Sequence, residues 1–373
     1  WTPSRILKDE FGFEQVDANE DDDWDMIFGG YPHCGSKGWD WNMETGLNKR
    51  LLDGGFQLKP HQVWFPCMGC AQSFCNKRGL CKLQREVDPS SCYLLPDDKD
   101  KVVELMDANT TQLWVLKRDA PHLHMHMSSG VKMIRSKKLL PSDEEMKDET
   151  YMVQPYSEPF IGSGAYQRKS EMKMDVAITS VDPLRVYINS RPWVTISNTL
   201  YVPNATSDLH EKCMQDSHAN MRYCLEFSSK ELEKKDTILS FEAYSDRVGI
   251  TRDQQMQIVA IAKRILKNVF KNSKLSLADN NLNRGITQSG ATCFSIMRAD
   301  FGIAADLSSA FLYEINEFPF ANQKYAAGEI QQKAFRDLFN MIGIAEIPMQ
   351  PRDRADFELA HLGGWIPLSL DDK

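Results

Sequence analysis

Three oxygen-bearing side chains near the C-terminus have a spacing that suits metal chemistry. Asp300 lies on one apolar segment, and Glu314 and Asn316 lie on the next. A turn centred on Leu307 would place Asp300 directly opposite Glu314, with Asn316 on the same face of its strand. Facing carboxylates repel each other, and a hard cation between them removes the repulsion. The spacing therefore predicts a Mg²⁺–nucleotide site, and the alternative is an exposed hairpin with two solvated acids.

The composition is that of a soluble globular protein with two or three structural units. The chain has 373 residues, of which 42% are hydrophobic and 26% are charged, and a typical domain has about 150 residues. The net charge of −8 argues against nucleic acid or an anionic membrane as the main partner. No apolar run approaches the ~20 residues that span a bilayer. We expect a soluble monomer. The start at Trp1 rather than Met leaves open that an N-terminal segment, such as a signal or anchor, was removed by processing or by design of the expressed chain.

Five of the nine cysteines crowd the segment 67–92. A zinc site would use Cys67-x-x-Cys70 and two later thiols, whereas the alternative is a disulfide-stapled insertion of a secreted protein. The spacings that follow Cys70 do not repeat the paired C-x-x-C of a zinc ribbon. The pattern therefore favours disulfides over zinc.

The remaining cysteines and two glycosylation sequons bear on the compartment. We expect eight cysteines to pair, with Cys213 and Cys224 as a local pair and Cys293 as a buried thiol. The sequons begin at Asn109 and Asn204. These features predict a protein of the secretory-pathway lumen (Golgi or ER) or of the extracellular space. Free thiols with bound zinc would instead favour the cytoplasm.

The hydrophobic patterns indicate strands and helices that alternate without repeats, typical of an α+β or α/β fold with a mainly antiparallel sheet. A capping box, Thr251-x-x-Gln254, opens an amphipathic helix that we expect to serve core packing only. The polar segment 271–291 is predicted to be a loop, and the charged segment 141–149 could form a short helix. Strands are predicted at 112–117, 175–181, 184–188 and 193–196.

Motifs along the chain occur in a recognisable order with compatible gaps. They include Trp-Val-Leu-Lys at 114–117, Val-Gln-Pro-Tyr at 153–156, Lys-Ser-Glu-Met-Lys at 169–173, Thr-Ser-Val-Asp-Pro-Leu-Arg-Val-Tyr at 179–187 and the two segments of the metal hairpin. From about residue 25 to about residue 350, the chain resembles the tubulin tyrosine ligase and polyglutamylase family. That family joins an amine to a carboxylate through an acyl phosphate formed from ATP.

The resemblance implies an α+β (α/β) ATP-grasp fold with mainly antiparallel sheets, and ATP and Mg²⁺ as cofactors. It divides the chain into an N-terminal subdomain with the cysteine-rich insertion (1–100), a central subdomain with a lid loop (101–160), a catalytic subdomain (161–355) and a tail (356–373). The metal would be held by Asp300, Glu314 and Asn316. The nucleotide would be held by Lys77, Lys117, Gly130, Lys132, Gln154, Tyr156, Lys169 and Asn220. Catalysis would fall to Glu171, Lys173 and Arg185.

Departures from the family pattern fall on the acceptor half of the site. Lys173 and Thr195 stand where the family has arginines, which hold the amino-acid carboxylate and the transferred phosphate. Lysine lacks the bidentate fork of arginine, and threonine carries no charge. We therefore expect a ligase with an altered acceptor, a secretory peptide or protein rather than tubulin. The alternatives are a phosphotransferase acting on a glycan or hydroxyl acceptor, and a nucleotide-binding pseudoenzyme.

Overall fold

The computed structural model describes residues 2–14, 26–28, 59, 62–65, 74, 76–119, 130–202, 213–214, 232–278, 292–317, 325–344 and 351–370. Its helices are α1 (Thr2–Phe11), α2 (Lys77–Arg85), α3 (Lys99–Ala108), α4 (Glu145–Asp148), α5 (Phe241–Val248), α6 (Arg252–Ala278), α7 (Tyr325–Met341) and α8 (Pro351–Ala360). Short 3-10 helices are formed by Lys137–Leu139, Gly164–Tyr166 and Lys234–Thr237. None of the helices described is long and apolar enough to cross a membrane.

The described strands form three sheets. A parallel sheet joins β1 (Met26–Phe28), β2 (Val63–Phe65) and β11 (Thr292–Cys293). An antiparallel sheet has the order β3 (Tyr93–Leu95), β6 (Thr150–Pro155), β4 (Trp114–Asp119) and β5 (Val131–Ile134). The seven-stranded antiparallel sheet contains β7 (Ser170–Val181), β8 (Leu184–Asn189), β9 (Trp193–Ile196), β10 (Ile238–Ser240), β12 (Ser295–Ile303), β13 (Ala310–Glu317) and β14 (Trp365–Pro367). The prediction of an α+β fold with mainly antiparallel sheets is confirmed.

The seven-stranded sheet has an apolar face and a face that is partly charged. Along β7, Met172, Met174 and Val176 enter the main hydrophobic core. Because side chains alternate along a strand, Glu171 and Lys173 project from the opposite face of the sheet. Both of these charged side chains are nevertheless buried. The strand is therefore buried on both sides, and the charged side is where the candidate site lies.

Helix α6 covers the apolar face and is longer than the sequence indicated. Its capping box is present: the Thr251 amide donates to Gln254 Oε1 at 2.9 Å, and the Gln254 amide donates to Thr251 Oγ1 at 3.3 Å. The helix continues to Ala278, so the prediction of a loop from residue 271 was wrong over its first eight residues. Buried Phe270 and Ser273 hold this last part against the protein, and such packing outweighs weak helix propensity.

The predicted strands at 112–117, 175–181, 184–188 and 193–196 all form, as β4, β7, β8 and β9, with boundaries shifted by a few residues. A short helix, α4, forms within 141–149. Residues 356–370 of the segment predicted to be a tail (356–373) belong to the fold: helix α8 contributes buried Glu358, and β14 pairs with β8. The predicted boundary between the N-terminal and central subdomains, at residue 100, also separates two paired strands: β3 lies before it and pairs with β6 of the four-stranded sheet.

Candidate functional site

The hairpin of β12 and β13 places the predicted metal ligands together. Asp300 and Glu314 are directly opposite in the antiparallel register, as the spacing indicated. The register shifts immediately afterwards, since Phe301 pairs with Leu312, so Tyr313 is an extra bulge residue. Leu307 has a φ of 62° at the turn. The bulge turns Tyr313 out of the regular alternation beside Glu314.

Hydrogen bonds tie the side chains of this hairpin to one another. Asn316 Nδ2 donates to Glu314 Oε1 at 2.9 Å and to Asp300 Oδ2 at 3.2 Å. Lys173 Nζ donates to Asp300 Oδ2 at 2.8 Å and to Glu171 Oε2 at 3.2 Å. Arg298 Nε donates to Asp300 Oδ1 at 2.8 Å. The two facing acids are thus compensated by an amide and two cations.

This donor set fits a hard divalent cation. Two carboxylates and one amide oxygen are available, and Mg²⁺ prefers oxygen ligands supplemented by water and phosphate. Glu314 has only the Asn316 amide as a hydrogen-bond partner within the described residues, so its oxygens are the most available. Asn316 would present Oδ1 after rotation of its amide. Glu314, Asp300 and Asn316 would hold the ion, with Asp300 sharing its charge with Lys173 and Arg298.

A cavity of about 570 Å³ lies beside the hairpin, between the four-stranded sheet that contains β4, β5 and β6 and strand β13. Its size is in the range of small-molecule and cofactor sites. Apolar side chains of β4, β5 and α6, such as Val115, Met133 and Val269, form part of its wall. Helix α6, expected to serve packing only, thus also borders the site. The predicted residues that line the cavity are Lys77, Lys117, Gln154, Tyr156, Lys169, Glu171, Asp300 and Glu314.

Two lysines of this cavity contact the bulge residue. Lys117 Nζ donates to the Tyr313 carbonyl at 3.3 Å and lies 5.9 Å from the centre of the Tyr313 ring. Lys169 Nζ lies 5.0 Å from the same ring centre. Burial lowers the pKa of Lys117 to about 8; Glu314 opposes the shift, and Lys77 and Lys169 add to it. Converging cations of this kind are suited to binding a phosphate chain.

The other predicted nucleotide and catalytic residues lie in varied places. Gly130 is buried directly before β5. Lys132 is exposed, because its neighbours Val131 and Met133 face the cavity and the alternation of β5 turns Lys132 to the other side. Asn220 and most of the lid loop lie outside the described residues. Lys173 does not border the cavity but contacts Asp300, which does.

Arg185 lies outside this group of residues. It donates to Glu358 of α8, from Nε to Oε2 at 2.8 Å and from Nη2 to Oε1 at 3.1 Å. Glu358 also accepts from the hydroxyls of Tyr187 and Thr179, at 2.7 and 2.9 Å. Arg185 pairs with Ser180, seven positions along β7 from Lys173, or about 23 Å at the usual rise per residue. The structure therefore gives Arg185 a bracing contact, and its predicted catalytic role does not fit its position.

One disulfide borders the cavity. Cys81 of α2 and Cys92, just before β3, are bonded and both are fully buried. Cys213 is also disulfide-bonded, and its predicted partner Cys224 lies outside the described residues. Cavity-lining residues between Cys81 and Cys92 are Leu83, Gln84, Val87, Asp88, Ser90 and Ser91. The bond thus fastens both ends of one wall, and Cys81 and Cys92 are not part of a zinc site.

Comparison with known proteins agrees with this arrangement. The family model of the tubulin-tyrosine ligase family matches residues 70–354. The chain belongs to this family. The tubulin polyglutamylase ttll6 of Danio rerio is 23% identical over 222 residues, which cover 58% of this chain and 27% of that protein. The chain thus matches about a quarter of the length of that relative. Membership of the tubulin-tyrosine ligase family supports an ATP-dependent ligase type of activity in general.

Three residues of the site were missed from the sequence. Arg298 is two positions before Asp300, so strand alternation alone places it on the same face, and it is 9% exposed. Tyr313 could be identified only with the bulge. Asp175, two positions after Lys173, is the Cα partner of Arg298. Burial raises the pKa of Asp175 to about 7, the Arg298 charge opposes the rise, and the Asp300 charge adds to it.

Proposed function

We propose that this chain is an ATP- and Mg²⁺-dependent ligase that joins an amine to a carboxylate through an acyl phosphate. One observation carries the proposal: the residues predicted to bind phosphate, metal and adenine line a single cavity. They are Lys117 and Lys169, the opposed carboxylates Asp300 and Glu314, and Gln154 and Tyr156. Family membership supports the same class of chemistry. In such a reaction the protein mainly positions the groups and neutralises developing phosphate charge.

Each part of the cavity has a role in this proposal. Lys117 and Lys169 hold the phosphates, and Gln154 and Tyr156 frame the adenine. Lys173, held between Glu171 and Asp300, supplies positive charge beside the reacting carboxylate. A bound Mg²⁺ would supply charge neutralisation and orientation at the transferred phosphoryl group.

The acceptor in this proposal is a peptide or protein of the secretory pathway. The disulfide Cys81–Cys92 and the bonded Cys213 support an oxidising compartment. Asn109, the first residue of one sequon, is exposed, and its side chain accepts from Thr111 Oγ1 at 2.8 Å. An exposed sequon is open to glycosylation. Intact-mass measurement with and without reductant and a glycosidase tests this placement, and a chain with neither disulfides nor glycans contradicts it.

A second candidate is a phosphotransferase acting on a glycan or other hydroxyl acceptor. It is favoured by the loss of arginines at positions 173 and 195. Lys173 is held by two carboxylates, and Thr195 Oγ1 is buried without a hydrogen-bond partner among the described residues. A free amino-acid carboxylate would therefore find no guanidinium at either position.

Calorimetry with Mg²⁺ and ATP tests nucleotide binding. We expect wild type to bind and Glu314→Gln to lose Mg²⁺-dependent affinity, because one of two ligating carboxylates is neutralised. Glu329→Gln, on the exposed side of α7, is the matched control and should bind as wild type. Equal binding by Glu314→Gln and wild type would refute the metal site.

Product analysis then separates the reaction classes. A ligase releases ADP and phosphate only when an amine and a carboxylate are both present. A phosphotransferase leaves an acceptor about 80 Da heavier, the mass of an added phosphoryl group. A pseudoenzyme binds ATP but consumes none with any secretory peptide or glycan. Hydroxyl phosphorylation without amine-dependent ADP release would replace the ligase proposal with the second candidate.

A further inference from the structure

The charged face of the seven-stranded sheet contains a buried carboxylate that accepts no hydrogen bond from the residues that the structure describes. Asp175 is 2% exposed, and neither of its oxygens has a hydrogen-bond partner within the described part of the chain. Its neighbour across the ladder is Arg298, but that guanidinium donates twice to Asp300, at 2.8 and 3.3 Å. A buried charge without hydrogen bonds is costly, so an arrangement of this kind points to a missing group.

Two other buried side chains on this face of the sheet also have hydrogen-bond donors without an acceptor among the described residues. Trp193 is 1% exposed and its Nε1 has no acceptor among the residues described. Its ring lies 5.8 Å from Arg298 Cζ and 5.9 Å from Lys173 Nζ, which places it beside the charged row. Gln331 of α7 is also 1% exposed, and both of its amide atoms are unpartnered within the described residues.

The packing of α7 places Gln331 over the row of Asp175. Ala327, four residues before Gln331, packs with Trp193, which is the Cα partner of Lys173. Phe335, four residues after Gln331, packs in the cluster that contains Ala177. Residues four apart lie on one face of a helix, and Asp175 lies midway between Lys173 and Ala177 on β7. Gln331 therefore lies above the position of Asp175.

The chemistry of these atoms restricts what can satisfy them. A metal ion could be ligated by Asp175 and Gln331 Oε1, but it would leave the indole and amide N–H donors without acceptors. A lone water could donate to Asp175 but brings no positive charge, and Arg298, the cation across the ladder, is already hydrogen-bonded to Asp300. A group that carries an ammonium beside a carbonyl or carboxylate oxygen satisfies both the acceptors and the donors. Such a charge-assisted bond is about twice as strong as a neutral one.

We propose that Asp175 anchors a site for the primary ammonium group of a substrate, with Trp193 Nε1 and the Gln331 amide donating hydrogen bonds to an adjacent carbonyl or carboxylate oxygen. The proposal rests on the proposed ligase function, in which this ligand is the amine substrate. The site adjoins the metal-binding row, because Asp175 and Arg298 follow Lys173 and Asp300 in the register of β7 and β12. Burial raises the pKa of Asp175 against the opposing charge of Arg298, in agreement with a buried carboxylate that accepts no hydrogen bond from the described residues.

The first test follows wild type and needs no catalytic activity, and a variant serves only to assign one signal. The indole ¹H–¹⁵N signal of Trp193, assigned with Trp193→Phe, is followed during titration with glycinamide, which carries an ammonium and a carbonyl. Acetamide, which has the carbonyl but no ammonium, is the matched probe. We expect glycinamide to shift the Trp193 signal and acetamide to leave it in place. An equal response to both probes, or no response to glycinamide, overturns the proposal.

The second test uses Asp175→Asn, which keeps the shape of the side chain and removes its charge. We expect the KM for the amine to rise roughly 10- to 150-fold, the equivalent of a lost hydrogen bond to a charged group. The Mg²⁺–ATP affinity of Asp175→Asn should stay within about twofold of wild type. The control variant Asp246→Asn, at an exposed position, should also keep its Mg²⁺–ATP affinity within about twofold. An unchanged amine KM in Asp175→Asn would mean that Asp175 is a buried structural acid, and the proposal would fall.

The failures of the two proposals are distinguishable. If wild type binds Mg²⁺–ATP but glycinamide gives no specific shift, the ammonium site is wrong and the ligase proposal stands on its other evidence. If the chain does not bind Mg²⁺–ATP, the ligase proposal is wrong, and the glycinamide titration still decides whether Asp175 binds an ammonium group.

Discussion

ATP binding should be coupled to proton uptake at Lys117. Burial holds the pKa of this lysine at about 8 in the free protein, with Lys77 and Lys169 adding to the effect of burial. The ammonium form is the one that attracts phosphate, so a bound triphosphate raises the pKa again. At pH 8 about half of the molecules must take up a proton on binding, and at pH 7 about a tenth. If only protonated Lys117 binds ATP, affinity at pH 9 is about tenfold weaker than at pH 7.

The assay is calorimetric titration of Mg²⁺–ATP in two buffers with different heats of ionisation, at pH 7, 8 and 9. The difference in apparent enthalpy between the buffers gives the number of protons taken up. Lys117→Arg should abolish the coupling, because a guanidinium stays protonated throughout this range. Lys138→Arg, at an exposed position outside the cavity, should behave as wild type. Uptake that stays near zero at pH 8, or an equal uptake in Lys117→Arg, would refute the assignment of Lys117 to the phosphates.

Three further predictions concern neighbours of the cavity and of the sheet. Tyr313→Leu should lower ATP affinity roughly fivefold, through loss of two cation–π contacts of about 0.5 kcal/mol each, whereas Tyr313→Phe keeps the ring and should bind as wild type. Arg185→Ala should lower the free energy of unfolding by about 3 kcal/mol, since it removes the guanidinium that donates twice to buried Glu358; chemical denaturation measures this, and ATP affinity of the folded variant should be unchanged. Cys81→Ala/Cys92→Ala should bind ATP more weakly than wild type, and equal calorimetric affinity would show that the wall does not need the bond.

The hairpin illustrates how far sequence reasoning reaches. The pairing of Asp300 with Glu314 was predicted from a turn centred on Leu307, and it forms. The strands beside the turn are in fact centred between Asp306 and Leu307, so the pairing also needs the extra residue Tyr313. The bulge at Tyr313 was not predictable, because one extra residue in a strand leaves no periodic signal when the flanking residues are apolar. Arg298 could have been identified by the same alternation that identified Asn316. What the sequence could not supply was that its guanidinium turns towards Asp300 and not towards Asp175.

Contacts between residues far apart in the sequence also limit what can be predicted from the sequence. Arg185 lies in a motif shared with the family, but its partner Glu358 is 173 residues away, and nothing in the sequence links the two. The position of Lys132 could have been predicted, since the cavity side of β5 is fixed by strand parity once Val131 is placed. The extension of α6 to Ala278 depends on packing of Phe270 and Ser273, which a propensity-based prediction does not contain.

If ATP binds in this cavity as proposed, the disulfide Cys81–Cys92 links oxidation and nucleotide binding reciprocally. The bond closes the short segment that supplies six cavity-lining residues, and the Gln84 amide within it donates to the Leu312 carbonyl at 3.0 Å, next to Tyr313. In the unfolded chain the bond removes loop entropy worth about 3 kcal/mol for a loop of this size. Without the bond this wall would unfold locally more easily, and ATP bound against it would oppose that unfolding. Since coupling between two equilibria acts equally in both directions, bound ATP should protect the bond from reductant to the same extent that the bond strengthens ATP binding.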